Sequence, residues 1–247
     1  MTKSQVRPAH SGAVFAVLGD VVESRTHTDR RALQRRLRTA LERANSLTPM
    51  MSQPLTLTVG DEFQGICKSL AAALGATLIV RLALTGQADV RFGIGRGRIR
   101  SFDPNQAPFG QDGPAWWAAR EAIESTAELM TRKGAPKGLR TVYVEWIGQR
   151  DEKSQLSLFQ LPLPLVGARS QTERLTNAYI LCRDELVGNT DARGARLMLK
   201  RIEQEPVTRT SKREGITVSA VNQKNRKSGA YAIELSARIL EAGDRSD

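Results

Sequence analysis

The order of its predicted strands and helices constrains this chain more than any single motif. Short apolar segments predict strands, and longer segments with apolar residues at helical spacing predict helices. The prediction in chain order is strand 13–22, helix 28–47, a hairpin over 54–67, helix 69–85, strand 89–100, helix 114–133 and strand 139–147. Residues 155–163 are one more candidate strand. Because the first six elements follow the order β-α-β-β-α-β of a ferredoxin-like core, we predict an α+β fold.

The hairpin tip, in LTVGDEFQG at 57–65, carries two adjacent carboxylates, Asp61 and Glu62. A helix joins the first two predicted strands, so these strands should run parallel and end at the same edge of the sheet. Asp20 ends the first strand and should therefore lie near the hairpin tip. Converging carboxylates repel unless a cation lies between them, and such oxygen ligands suit Mg²⁺ or Mn²⁺. The alternative is that Asp61 only shapes the turn and Asp20 caps the next helix.

The strand RFGIGRGRI places Gly93, Gly95 and Gly97 on one face. A face without side chains admits the close approach of either a packed helix or a flat ligand, and both interpretations stay open. Arg120, in the following helix, is a candidate to direct its planar guanidinium at phosphate oxygens. The alternative for Arg120 is an ion pair with Glu124, four residues along the helix.

The net charge of +11 over 247 residues favours polyanionic partners such as nucleic acid or nucleotides. Cys67 and Cys182 lie far apart in apolar surroundings, which predicts buried free thiols and a cytoplasmic location. No segment has the length and apolar character of a membrane-spanning helix, so we expect no membrane partner. With only His10 and His27, histidine-rich zinc sites and a Ser-His-Asp triad have little support.

Four motifs, in this order, resemble the SatD family of bacterial proteins: VLGDVVESR, LTVGDEFQG, RFGIGRGRI and DGPAWWAAREAIE. The resemblance covers residues 13–135 closely and extends weakly to the C-terminus. Members of this family are described in connection with secretion and acid tolerance, and the family name brings no established reaction.

The same motifs are similar, more distantly, to class III nucleotide cyclases and to the GGDEF palm domain. That resemblance implies that Asp20 and Asp61 hold two Mg²⁺ ions and that Arg120 is the transition-state arginine. It also implies a homodimer, because cyclase-like sites are commonly completed across a dimer. Where cyclases have a ribose-orienting Asn and a base-reading Lys, this chain has Trp116 and Leu57. The resemblance therefore carries over the metal and phosphate machinery and not the recognition of the base.

The C-terminal part, residues 171–243, predicts a small all-α domain that ends in a helix-turn-helix-like segment. Gly215 falls at the turn and Val221 at the apolar position of the recognition helix. SatD-like proteins commonly end in a similar segment, reminiscent of sigma-factor region four, which adds DNA as an expected partner. The residues expected to face base edges and phosphates are Ser219, Asn222, Gln223, Lys224 and Arg226.

This segment departs from the usual helix-turn-helix pattern at three positions. Thr210, Glu214 and Asn225 stand where apolar residues are usual. The alternative to DNA binding is therefore a packing module that dimerises or docks on the N-terminal domain.

We predict a lead-in without regular structure at 1–12, a cyclase-like ferredoxin-type domain at 13–165 and a helix-turn-helix-like domain at 171–243. The first functional hypothesis is a transcriptional regulator that binds a metal-nucleotide and DNA. The second is an enzyme, a Mg-dependent nucleotide cyclase or nucleotidyl transferase. The third is a non-catalytic scaffold in which the hairpin is only structural.

Overall fold

The computed structural model describes residues 12–24, 29–101, 110–147 and 170–243. The predicted lead-in at 1–12 lies almost entirely outside the described residues, and so does the candidate strand at 155–163. The predicted boundary between the two domains falls outside them as well.

The described residues form a mixed α/β structure, as predicted. The strands are β1 (Val14–Val21), β2 (Met51–Leu57), β3 (Phe63–Cys67), β4 (Val90–Gly97), β5 (Arg100–Ser101), β6 (Gln111–Asp112) and β7 (Thr141–Glu145). The helices of the first half are α1 (Arg30–Leu47), α2 (Leu70–Leu84) and α3 (Pro114–Thr131). Those of the second half are α4 (Gln171–Gly188), α5 (Ala192–Ile202), α6 (Val207–Glu214), α7 (Val218–Lys227) and α8 (Ala230–Gly243).

Short polar side chains mark where several of these helices begin. Such residues accept a hydrogen bond from a backbone N–H of the first turn, which has no partner inside the helix. The caps seen here are Asp29 for α1, Ser69 for α2, Ser170 for α4, Asp191 for α5 and Thr217 for α7. These helix starts are therefore encoded locally in the sequence.

Five strands form one sheet in the order β2-β3-β1-β4-β7. The central strand β1 is antiparallel to both β3 and β4, β2 is antiparallel to β3, and β7 is parallel to β4. Consequently β2 runs in the same direction as β1, and the tip of the β2–β3 hairpin lies at the edge where β1 ends. The first six elements of this sheet unit follow the predicted order β-α-β-β-α-β.

Helices cover both faces of the sheet. Successive residues of a strand point to opposite faces, so each strand contributes side chains to two separate buried clusters. On one face Val17, Phe92 and Ile94 share a buried cluster with α1 and α2. On the other face Ala16 and Leu18 share a second cluster with α3. Both faces of the sheet are therefore buried.

Helix α3 packs directly on the three alternate glycines of β4. A Cβ atom added at Gly95 would lie 2.7 Å from the carbonyl carbon of Ala118, and one at Gly97 would lie 2.6 Å from the nitrogen of Ala115. At Gly93 it would lie 2.8 Å from the Cβ of Ile123. The prediction that this face binds a ligand is wrong, because the backbone of α3 fills it. The alternative, close helix packing, is confirmed.

Helix α4 lies along the outer edge of β7 and takes the place of a neighbouring strand. The Asn177 side chain accepts a hydrogen bond from the N–H of Tyr143 (2.9 Å) and donates one to its carbonyl oxygen (2.8 Å). The Glu173 carboxylate accepts from the N–H of Glu145 at 3.1 Å. These polar side chains, each 2% exposed, satisfy backbone groups that an open sheet edge would leave unpaired.

A buried ion-pair network continues this contact toward the end of α4. Asp184 is fully buried and accepts hydrogen bonds from Arg183 and from the N–H of Arg140. The Arg81 guanidinium of α2 lies 3.1 Å from the same carboxylate. Arg183 also donates to Thr141 of β7 at 2.9 Å. A buried carboxylate in this position is tolerable because two cations and a backbone donor surround it.

The helices after residue 170 share the core of the sheet unit. Ile180, Val187, Met198 and Ile233 are buried in the same cluster as α1 and α2. The C-terminal helices are therefore packed against the N-terminal part through apolar as well as polar contacts. Within the described ranges, no helix combines the length and apolar character needed to cross a bilayer.

We expect Gly95→Ala to lower the free energy of unfolding by about 2–3 kcal/mol, because the added methyl group would overlap the backbone of α3. Chemical denaturation measures this change. The matched control is Gly75→Ala in α2, where an added Cβ meets nothing within 4 Å. The control should be neutral or stabilising by up to about 1 kcal/mol. Equal effects of the two substitutions would contradict the packing of α3 on β4.

We expect Asn177→Ala to cost about 3 kcal/mol of unfolding free energy, because it leaves the N–H and carbonyl of Tyr143 buried without partners. Hydrogen exchange of the Tyr143 amide should accelerate more than that of amides in the middle of the sheet. Asn189→Ala, at the exposed end of α4, is the control. An unchanged Tyr143 exchange rate would show that α4 does not complete the β7 edge.

Candidate functional site

The hairpin tip and the end of β1 meet at one rim of the sheet. Gly19 of β1 is paired with Phe63 of β3, so Asp20 follows one paired residue and Glu62 precedes the other. The tip is closed by a hydrogen bond from the N–H of Thr58 to the carbonyl of Glu62 at 2.9 Å. Gly60 has a φ of +66°, a left-handed conformation that glycine adopts at little cost. The backbone thus brings the predicted carboxylate-bearing segments together.

The side chain of Asp20 is already engaged at this rim. Arg91, its partner in the β1–β4 register, donates to both carboxylate oxygens, from Nε at 2.7 Å and from Nη2 at 2.8 Å. The pair is partly buried, with 18% of the Asp20 side chain exposed. This two-point ion pair neutralises Asp20 and holds its oxygens toward Arg91. The sequence prediction missed Arg91, although the strand register would have placed it beside Asp20.

Asp61 and Glu62 lie between β2 and β3, at the tip of the hairpin. Asp61 is half-buried in the turn and Glu62 is exposed. Among the residues that the structure describes, neither carboxylate has an ion-pair partner, and no group of three or more Cys, His, Asp or Glu residues could hold a metal ion. The rim therefore does not form an all-protein metal cage. A Mg²⁺ ion held here would need water and substrate phosphates as ligands in addition to one or two carboxylates.

The beginning of α1 borders the same rim. Gln34 donates from Nε2 to the carbonyl of Gly60 at 3.3 Å and so connects the helix to the hairpin tip. Arg30 and Arg31 lie exposed in the first turn of α1. The rim thus combines carboxylates with nearby cationic side chains, which suits a ligand that carries both a metal ion and phosphate groups.

Arg120 lies on α3, next to the part of the helix that packs on Gly93. Its side chain is exposed and makes no ion pair or hydrogen bond with any residue in the described ranges, Glu124 included. The alternative of an ion pair with Glu124 is therefore not formed. Neither does any described contact join Arg120 to Asp20 or Asp61, so its role at phosphate stays a prediction.

In the C-terminal part, Gly215 lies between α6 and α7, at the position where a turn was predicted. Gly215 has a φ of +65°, and its N–H donates to the carbonyl of Ser211 at the end of α6. Thr217 then caps α7 through the N–H of Ala220. Val221 of α7 is 1% exposed, in agreement with its predicted apolar position.

The three polar residues at usually apolar positions have different roles. Thr210 is 3% exposed and donates to Glu205 at 3.2 Å. Glu214 forms a two-point ion pair with Arg196 of α5 at 2.9 and 2.8 Å, which lowers the pKa of the Glu214 carboxyl. Asn225 is 2% exposed, and its Oδ1 has no hydrogen-bond partner among the described residues. Polar contacts between helices thus replace part of the usual apolar packing.

The five predicted DNA-contacting residues divide into two groups. Ser219, Gln223 and Arg226 are exposed on one face of α7. Asn222 instead accepts a hydrogen bond from the Tyr231 hydroxyl at 3.2 Å. Lys224 is held at 2.7 Å from Asp191, and this contact, with the N–H of Gly194, lowers the pKa of Asp191. Only the first group is presented to solvent without such contacts.

The two cysteines differ in burial. Cys67 is fully buried, and burial raises the pKa of its thiol to about 12, which makes it unreactive. The prediction for Cys182 is wrong, because its side chain lies on the exposed face of α4. A periodic apolar pattern does not identify the exposed face when polar residues such as Asn177 and Asp184 occupy the buried one.

Comparison with known proteins supports the family resemblance. The model of the SatD family matches residues 14–130, a range that contains all four motifs, and this confirms the predicted resemblance. A solved structure of an adenylate cyclase from Trypanosoma brucei, studied in its monomeric state, is 19% identical, with 47% of this chain and 71% of that chain covered and a TM-score of 0.33. No curated protein sequence matches the chain.

Proposed function

We propose that this chain, whose residues 14–130 match the SatD family, is a regulator that binds a Mg²⁺-nucleotide at the sheet rim and DNA through α6 and α7. The nucleotide-binding part of the proposal is supported by the pairing of Gly19 with Phe63, which brings the end of β1, where Asp20 lies, to the hairpin segment that carries Asp61 and Glu62. Carboxylates and arginines at one rim provide the two kinds of group that a metal-bound phosphate requires.

The Asp20–Arg91 ion pair determines how such a ligand would bind. Mg²⁺ alone must compete with Arg91 for the oxygens of Asp20, so its affinity should be low. A nucleotide offers Arg91 an alternative partner in its phosphates and offers the cation additional oxygen ligands. Asp20 and Asp61 are the residues that would hold the ion, with Glu62 as an auxiliary ligand.

The DNA-binding half of the proposal is supported by the exposed face of α7. Ser219, Gln223 and Arg226 recur at the spacing of successive helical turns, and Lys227 is exposed beside them. Arg209 and Lys212 add exposed positive charge on α6. A helix of this kind, preceded by a glycine turn, is suited to enter the major groove.

The shared core offers a route between the two sites. Helix α2 packs on α1, which contacts the hairpin tip through Gln34, and α2 also carries Arg81 of the network around Asp184. A nucleotide that changed the position of the hairpin or α1 would therefore act on a packed surface against which the C-terminal helices lie.

The enzymatic hypothesis is supported by one observation, the exposure of Arg120 without a described partner, because a phosphate clamp must be available to its ligand. Pyrophosphate release from a nucleoside triphosphate, lost in Asp61→Ala and in Arg120→Ala, would assign that activity. Binding of a nucleoside triphosphate without pyrophosphate release would support the regulator hypothesis instead.

Calorimetric titration tests the rim. We expect ATP or GTP to bind with Mg²⁺ present, Mg²⁺ alone to bind weakly, and Asp61→Asn to reduce the affinity for the metal-nucleotide at least about tenfold, which corresponds to one lost charge-assisted contact. Arg91→Ala should weaken nucleotide binding and strengthen the binding of Mg²⁺ alone, because it frees the oxygens of Asp20.

The matched control for this titration is Asp89→Asn. Asp89 is also a partly exposed carboxylate paired with an arginine, Arg140, and it lies near the same end of β4. Its substitution should leave nucleotide affinity unchanged. The absence of binding by any of the common nucleoside triphosphates in the presence of Mg²⁺ would refute the proposed rim site.

Fluorescence anisotropy with labelled duplex DNA of mixed sequence tests α7. Arg226→Ala should weaken binding and reduce its salt dependence by about one counterion, because an exposed phosphate contact is lost. Lys224→Ala should have a smaller effect, since Lys224 is occupied by Asp191. Equal losses for Lys224→Ala and Arg226→Ala would show that α7 presents a different face, and no DNA binding at low salt would favour the packing-module alternative.

A further inference from the structure

The exposed face of α1 carries a row of arginines. Arg31, Arg35 and Arg38 follow one another at intervals of four and three residues, which places them in one line along the helix. We call this row the arginine stripe. All three side chains are exposed, and the row extends about 10 Å along the helix axis. Arg30 and Arg36 flank it and are exposed as well, so α1 presents a dense patch of positive charge to solvent.

The rest of the described chain does not neutralise this charge. None of the five arginines forms an ion pair or a side-chain hydrogen bond with a described residue. Glu42 is exposed four residues after Arg38, and these two side chains do not form an ion pair. By contrast Arg43, toward the end of the same helix, is paired with Glu203. The stripe is therefore available to a partner outside the chain.

The stripe is unfavourable for the helix that carries it. Like charges three and four residues apart in a helix repel each other. The first turn of α1 contains Arg30 and Arg31 and no acidic residue, whereas the helix macrodipole favours carboxylates at this end. The apolar contacts of α1 come from other residues, chiefly Leu33, Leu37 and Leu41. A bound polyanion would relieve both the mutual repulsion and the repulsion by the helix dipole.

The other residues of this face restrict the kind of polyanion. They are all polar, namely Gln34, Thr39, Glu42 and Ser46, and no apolar residue of α1 is exposed. The face therefore has nothing to insert into a bilayer and no apolar centre for a protein interface. Helix α1 also contains no aromatic side chain on which the bases of a single strand could stack. These properties suit contact with the phosphates of a duplex, which depends on charge and hydrogen bonds.

We propose that the arginine stripe binds the phosphate backbone of duplex DNA without reading its sequence. All basic residues of α1 are arginine, whose planar guanidinium donates two hydrogen bonds to the oxygens of one phosphate. This contact depends neither on a nucleotide at the sheet rim nor on base recognition by α7.

Fluorescence anisotropy of the full chain with a labelled duplex of mixed sequence tests the stripe. The variant is Arg35→Gln with Arg38→Gln, which leaves Arg31, next to the rim, in place. We expect its affinity at low salt to fall at least about tenfold and its salt dependence to fall by about two counterions, because two phosphate contacts are lost. Arg35→Lys with Arg38→Lys keeps both charges, so it should keep the salt dependence and lose less affinity.

The matched control is Lys133→Gln with Lys137→Gln. These two lysines are exposed outside α1 and outside the C-terminal helices, and their loss lowers the net charge by the same amount. The control should change the affinity less than about twofold. Equal losses in the control and in the glutamine variant of the stripe, or no loss in that variant, would refute the proposal. Circular dichroism should show that the glutamine variant is folded, with an unfolding midpoint no lower than that of the wild type, because a like-charge repulsion is removed.

The contributions of the stripe and of α7 can be separated in the same assay. The glutamine substitutions at Arg35 and Arg38 should weaken binding by a similar factor in the wild type and in Arg226→Ala. A loss from the stripe variant with no effect of Arg226→Ala would support the stripe and contradict the role proposed for α7. An effect of Arg226→Ala with none from the stripe variant would do the reverse.

Three competing polyanions test the assignment to duplex DNA: single-stranded DNA of the same length, phosphatidylglycerol vesicles and polyglutamate. At equal salt each should bind at least about tenfold more weakly than the duplex. If any of them bound as tightly as the duplex and lost its affinity in the glutamine variant of the stripe, the assignment to duplex DNA would be overturned.

Discussion

The contact on which the rest of the structure depends is the one between α4 and the outer edge of β7. An edge strand presents N–H and carbonyl groups that must be paired once they are buried. Asn177 and Glu173 supply those partners from a helix, and Asp184 adds another at the N–H of Arg140. The helices that follow α4 are consequently attached to the sheet unit by specific hydrogen bonds as well as by a shared apolar core.

At the rim of the sheet, the carboxylate of Asp20 is already held in an ion pair. Asp20 stands where a metal ligand was predicted, and Arg91 already occupies both of its oxygens. The pair is partly buried, so separating it has a real cost unless both partners find new ones. A metal-bound phosphate is a ligand that supplies a partner to each. This makes the rim selective for metal and nucleotide together, in the function that we propose.

Several features of the fold could be predicted because they depend on local physics. The strands, the helices and the glycine turn at Gly215 follow from apolar periodicity and from backbone freedom. The meeting of Asp20 with the hairpin tip followed from the order of elements alone. Arg91, Asn177 and the exposure of Cys182 were missed, since each depends on which residue of another element lies opposite it.

The sequence by itself determined the order of elements, the two apolar faces of the sheet and the segments that carry the acidic residues, because these depend on residue spacing along one chain. Tertiary structure decided which partner each of these side chains and packing surfaces has. It filled the glycine face of β4 with α3, paired Asp20 with Arg91 and turned Lys224 toward Asp191. The physical reason is that a polar group or a close packing surface acquires its role from neighbours distant in sequence, which only the folded chain brings into contact.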